Sequence, residues 1–152
     1  MAEQTDTRFN IHRLYLKSSD FKIENPPTVF KSKGKLEYKI EMKIDPKKLD
    51  EENLHDVSLD LKIVGKIEET DIFTVSVSQA GVFELKGFTP EQMKQLEMAY
   101  CPNVLYPYAR QAVTGLMTQA GFAPINLVPI NFDALYQQQK KQAAEKETVT
   151  QH

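Results

Sequence analysis

The sequence predicts an α+β fold: a four-stranded antiparallel sheet with helices packed on one face. Three observations point there. In the first half of the chain apolar and polar residues alternate with a period of two, the pattern of strands with one buried face. In the second half the apolar spacing lengthens to that of a helix. Proline, glycine and asparagine stand at the joints, where they interrupt ladders and turn the chain.

The elements follow in order. Residues 1–8 are polar and read as a flexible N-terminus. Residues 9–17 are rich in β-branched and aromatic types and read as a first strand. Pro26 and Pro27 donate no ladder hydrogen bond, so residues 23–30 read as a crossing loop without regular structure. Leu36, Tyr38, Ile40, Met42 and Ile44 alternate with Lys35, Glu37, Lys39, Glu41 and Lys43, a second strand that Asp45-Pro46 should end. Val57, Leu59, Leu61 and Ile63 mark a third strand. Phe73, Val75 and Val77 mark a fourth, with Gly65 and Asp71 bracketing the turn before it. A short apolar piece follows at residues 82–85. Short turns between these strands imply a meander.

Thr89 then reads as an N-cap, with Pro90 at the first helical position and Glu91 in the first turn. This helix should end near Pro102, and a second should follow Pro107. Ala109, Ala112, Val113, Leu116, Met117 and Ala120 form one apolar stripe on it, and Gly121 is a natural stop. Asn131 caps a third helix running through Leu135 and Tyr136. Residues 9–139 make a single domain, and residues 140–152 read as a disordered polar tail.

Composition narrows the function. A chain of 152 residues can bury a core without metals or disulfides. A net charge of −2 gives no electrostatic footprint for nucleic acid. Cys101 is the single cysteine, which fits a reducing compartment. The polar start has no basic or apolar signal region, and no apolar run approaches a membrane span. The expectation is a cytoplasmic protein without membrane insertion.

Candidate chemistry is sparse. Cys101 would need His12 or His55 beside it to act as a nucleophile, and no local motif supports that. His12, His55 and His152 lack metal-ligand spacing. Asp50-Glu51-Glu52 read as a solvated turn, and the six glycines are too scattered to cradle a phosphate. The expectation is no enzyme, no metal and no cofactor.

Two features point to binding instead. Residues 98–132 carry a single charge, Arg110, where the usual charged fraction predicts about nine. The helix face opposite the apolar stripe (Gln111, Thr114, Gly115, Thr118, Gln119) is polar but uncharged. Either the helix only covers the sheet, or it also meets another protein surface, where charge is depleted. Likewise Ile23, Pro26, Pro27, Val29 and Phe30 either pack onto the subunit's own core or line an apolar groove for extended chains.

Residues 100–110 (YCPNVLYPYAR) and 121–135 (GFAPINLVPINFDAL) resemble the SecB family of export chaperones, and residues 79–83 (QAGVF) are similar to a family segment after the fourth strand. The resemblance spans roughly residues 9–139. It implies a SecB-like subunit of a homotetramer, a dimer of dimers, that binds unfolded secretory precursor proteins, keeps them translocation-competent and delivers them to the SecA motor. On this resemblance Leu135 and Tyr136 join the loop residues as groove walls, and no cofactor is used. The oligomer interface would involve Val75, Val77, Gln79, Tyr108, Ala109, Ala112, Val113 and Leu116. The positions facing SecA would be Asp20, Glu24 and Ser76. Ser76 stands where the family carries an acid, Ser18-Ser19 look inserted, and Gly34 lies near the place of a family tryptophan. The tail is mixed in sign rather than acidic. An alternative for the same fold is a SecB-like chaperone dedicated to a toxin-antitoxin system or another non-export client.

Overall fold

The structure is a computed structural model and describes residues 6–150. The strands are β1 (Arg8–Ile23), β2 (Glu37–Lys48), β3 (Leu54–Ile67) and β4 (Thr70–Lys86). They form one antiparallel sheet in the order β1-β4-β3-β2. Only β2, β3 and β4 follow one another as a meander. The first strand lies beyond β4, which at 17 residues offers a ladder to match its 16. The chain after Ile23 therefore crosses from one edge of the sheet to the other, and a 3-10 turn, Thr28–Lys31, begins within the loop expected at residues 23–30 to lack regular structure.

Local chemistry explains the other departures. The first strand continues to Ile23 by absorbing residues as bulges, one between Ile11 and Arg13 and one between Leu16 and Ser18. The second strand runs past Asp45-Pro46, with Pro46 opposite Val57. Proline is tolerated there because β2 is an edge strand with one side free of a ladder. Residues 82–85 belong to β4 itself. Glu68 and Glu69 close the β3–β4 hairpin with φ of 48° and 70°, the left-handed pair of a two-residue turn.

The helical half is continuous where two helices were expected. The first helix, α1 (Pro90–Gln95), begins with a full capping box: Gln92 N–H donates to Thr89 Oγ1, and Thr89 N–H donates to Gln92 Oε1. A π-turn over Leu96–Tyr100 leads directly into α2 (Cys101–Gln119). Pro102 falls in the first turn of α2, where a missing N–H costs least. Pro107 lies inside α2 and is exposed, as is Asn103, so water can reach the carbonyl that Pro107 leaves unpaired. Gly121, at φ 90°, ends the helix: Gly121 N–H bonds Thr118 O, and Phe122 N–H bonds Met117 O.

The third helix, α3 (Phe132–Thr150), starts as expected, with Ala134 N–H donating to Asn131 Oδ1. It extends to Thr150, so the expected disordered tail is helical through the described residues. Gln, Lys, Ala and Glu favour helix, and Lys140 Nζ donates to Glu91 Oε1 at 2.7 Å. Of the expected loose N-terminus, residues 1–5 lie outside the described residues, and Arg8 already starts β1.

The core lies between the sheet's inner face and α2. Val57, Leu59, Leu61, Ile63, Phe73, Val75 and Phe83 are closed off by Leu105, Ala109, Val113 and Met117. These helix residues repeat at i, i+4, i+8 and i+12, the line one helix lays on a flat sheet. By contrast α3 packs on the π-turn rather than on the sheet.

Candidate functional site

Among the described residues an apolar surface stands open at each end of α2. At its C-terminal end five rings gather. Phe122 follows the helix stop and lies 4.7 Å from Phe73, 5.4 Å from Phe30 and 5.9 Å from Phe21, centre to centre. Phe21 stacks on Phe73 at 5.1 Å, and Tyr38 approaches Phe73 at 6.2 Å. Phe73 is fully buried, whereas Phe30 is 50% exposed and Tyr38 36% exposed. The rings sit this close because Gly65 pairs with Phe73 across the ladder, and a Cβ at Gly65 would stand 2.5 Å from the Phe73 ring. On β2, Ile40 continues the surface at 46% exposed.

The loop residues divide here. Val29 is half-buried against the core, Ile23 is half-buried at the end of β1, Phe30 is a ring of the patch, and Pro26 and Pro27 are exposed. Val29 thus packs inward, while Phe30, Pro26 and Pro27 face outward. Sequence reasoning named Phe30 and missed Phe21, Tyr38, Phe73 and Phe122 as its partners. Their shared inner-face positions become visible only once the β1–β4 and β2–β3 registers are known.

Leu135 and Tyr136 lie elsewhere. They belong to the second surface, where α3 meets the π-turn at the start of α2. Tyr136 is buried and Leu135 half-buried. Beside them Phe88, Leu96 and Tyr100 line an open hollow, with the Tyr100 ring edge-on to Phe9 at 4.6 Å. One contiguous groove wall joining the loop to Tyr136 is therefore not what the subunit forms. Alpha-helical rise over the 19 residues of α2 separates the two surfaces by roughly 28 Å.

The expected interface residues also divide. Val75, Val77, Gln79, Ala109 and Val113 are buried within the subunit, under its own helix, and have no surface to offer. Tyr108, Ala112 and Leu116 stay wholly or partly open, spaced four residues apart along one flank of α2. The polar, uncharged face of Gln111, Gly115, Thr118 and Gln119 is exposed as the sequence indicated. Ile11 and Leu16, on the edge strand β1, are also nearly half exposed.

On the outer face Asp20 lies directly opposite Ser76. Glu24 follows the end of the same strand, with its N–H on Ile72 O and its carboxylate 3.8 Å from Lys22 Nζ. Asp56 is held by Tyr15 Oη at 2.6 Å and Lys17 Nζ at 3.0 Å. That carboxylate keeps Lys17 protonated and raises its pKa. Burial first, then Asp56, raises that of Tyr15.

Cys101 is fully buried, and burial, reinforced by Glu97, pushes its thiol well above the usual range. The buried His55 sits with Nδ1 3.4 Å from Glu97 Oε2. A neutral thiol in such a place is a poor nucleophile. Among the described residues no group of three or more His, Cys, Asp and Glu could hold a metal ion, and no helix is long and apolar enough to cross a membrane.

A one-sided sheet backed by a helix, with aromatic surface left open at both helix ends, has the architecture of a polypeptide-binding protein. Comparison with known proteins gives the family. The family model described as "Preprotein translocase subunit SecB" matches residues 2–143. A protein-export protein SecB of Methylococcus capsulatus is 42% identical over 143 residues, covering 93% of this chain and 90% of the relative. One from Neisseria gonorrhoeae is 37% identical, covering 95% of this chain and 98% of the relative. A solved Mycobacterium tuberculosis SecB-like chaperone, in complex with a ChAD peptide from the HigA1 antitoxin, shares the fold at a TM-score of 0.67 and 19% identity, covering 81% of this chain and 91% of that one. The chain belongs to the SecB family and is a protein-export chaperone.

Proposed function

We propose that this chaperone holds unfolded secretory precursors on its two apolar surfaces and passes them to SecA, working in the cytoplasm as a tetramer of two dimers. The observation that carries the client reading is the five-ring patch, with its buried base at Phe73 and its open rim at Phe30 and Tyr38. Apolar burial of roughly 25 cal/mol per Å² rewards any apolar side chain and needs no particular sequence. A client strand rises about 3.3 Å per residue, so about nine extended residues span the distance between the two surfaces. One chain touching both gains affinity through effective concentration. The open flank of Tyr108, Ala112 and Leu116, beside an uncharged helix face, supports assembly through α2. Asp20, opposite Ser76, and Glu24 support motor docking on the outer face.

The test is refolding of a slow-folding precursor with and without the protein, alongside native mass. A tetramer that slows refolding is expected, and Phe30→Asp should weaken client binding about tenfold while leaving the tetramer intact. A monomer at micromolar concentration that leaves refolding rates unchanged would sink the reading.

A further inference from the structure

We infer that His55 and Glu97 form a pH-sensitive clasp that fixes the π-turn, and with it the apolar hollow at the start of α2, when the imidazole is charged. The helical half converges on the π-turn: α1, α2, α3 and β2 all touch it. Its Leu96 and Tyr100 line the hollow together with Phe88. A π-turn is a rare conformation that its surroundings must hold. His55 is the second residue of β3 and shares the inner-face parity of Val57 and Leu59, which turns its ring toward the helical layer. Only 4% of it is exposed. Glu97, on the π-turn itself, is half-buried and meets it there.

Nδ1 of His55 is closed to solvent and makes no aligned hydrogen bond, although Glu97 Oε2 lies 3.4 Å away. A neutral imidazole carries one N–H and one lone pair, and a lone pair on Nδ1 faces a carboxylate without a donor between them. Charging puts a proton on both nitrogens. Nδ1 then donates to Glu97 with opposite charge behind it, where little water screens the pair. Imidazole is the side chain that makes this change between about pH 5 and about pH 8. The other charged groups of the surrounding elements are engaged or solvated. Opposite His55 in the register stand Phe83 on β4 and Lys48 on β2, and Lys48 is exposed. On α1 and α3, Glu91 pairs with Lys140, while Lys94 and Asp133 are exposed. On β1, Arg8 and His12 are engaged by Glu84. On α2 the Cys101 thiol stays neutral, because burial and then Glu97 push it well above its usual range. The five rings at the other end of α2 carry no group that charges near neutral pH, so acid fixes one apolar surface and leaves the other as it is. The clasp needs no client, and its test uses none.

The test follows backbone hydrogen exchange of the full chain at about pH 8 and about pH 5.5, corrected for the intrinsic rate at each pH, with isotope-labelled histidine reporting the charge of His55. In the parent protein, protection of the amides from Leu96 to Cys101 should rise about tenfold on acidification, while that of Leu105 to Val113 stays within about twofold. The Tyr100 ring, edge-on to Phe9, should shift in step with the His55 imidazole. Glu97→Gln, which keeps the shape and removes the charge, should abolish the rise, and His55→Gln should do the same. Glu97 is only half-buried, so its variant decides the question where His55→Gln fails to fold. A parent whose π-turn protection changes less than about twofold between the two pH values, or a Glu97→Gln variant that keeps the full rise, overturns the clasp.

Discussion

The inner and outer faces of the sheet share four strands and one register, yet different forces hold them. On the inner face Val57, Leu59, Leu61, Ile63, Phe73 and Val75 are excluded from water by α2, and area removed from water sets the energy. On the outer face burial is local and polar: Asp56 is covered by Tyr15 and Lys17, whereas Lys39 and Glu41 stand in solvent. The difference shows how one sheet can be rigid on one side and available on the other. Stability comes from the covered face, so the open face is free to vary its charges.

Substitutions can break or sharpen that contrast. The largest effect belongs to the inner face. Phe73→Ala should cost about 3–5 kcal/mol in urea unfolding at fixed protein concentration, because its site beneath Phe21 and Phe122 cannot collapse. A loss under about 1 kcal/mol would mean that the aromatic patch, not the core, owns this ring.

Next comes the buried polar cluster of the outer face. Asp56 raises the pKa of Lys17 above its ordinary 10.5, chiefly through the hydrogen bond. A group whose pKa is raised by folding stabilises fully below its unfolded value and loses that contribution as pH climbs through the folded value. Tyr15, also raised, has the same sign. Stability should therefore fall as pH rises above about 10.5, and Lys17→Met should flatten that fall. Lys17 is 42% exposed, so screening holds the expected loss at neutral pH to about 1 kcal/mol. An unchanged alkaline profile in Lys17→Met would show that the cluster is solvated. The smallest effect belongs to the open part of the face. Lys39 and Glu41 stand 3.7 Å apart, both more than half exposed, and Lys39→Ala should shift stability by less than about 0.5 kcal/mol.

Much of this architecture was legible in the residues. Period-two alternation located β2, β3 and β4, and Thr89, Asn131 and Gly121 marked helix ends that the backbone hydrogen bonds bear out. What could not be read was mostly long-range. Nothing in residues 9–17 says that they pair with β4 rather than β2, and that choice sends the chain after Ile23 across the sheet. Pro46 and Pro107 read as breaks because sequence does not reveal an edge strand or a water-exposed helix side. In the candidate site, Phe30 was visible as an apolar residue in a loop. Its partners were hidden because they sit on β1, β2, β4 and after α2, joined by register alone.

The π-turn at Leu96–Tyr100 has a consequence for the direction in which side chains point. Each residue advances a helix by about 100°, so one residue more in a turn rotates everything after it by that angle. The helical run through residues 90–119 therefore changes phase once. The π-turn itself packs on α3, and the helix after it packs on the sheet. A single rod thereby gains two bearings, and the same added residue that tilts Tyr100 toward Phe9 aims Leu105, Ala109 and Val113 at the core. Deleting one residue there would leave the composition almost unchanged and misdirect half of the helix.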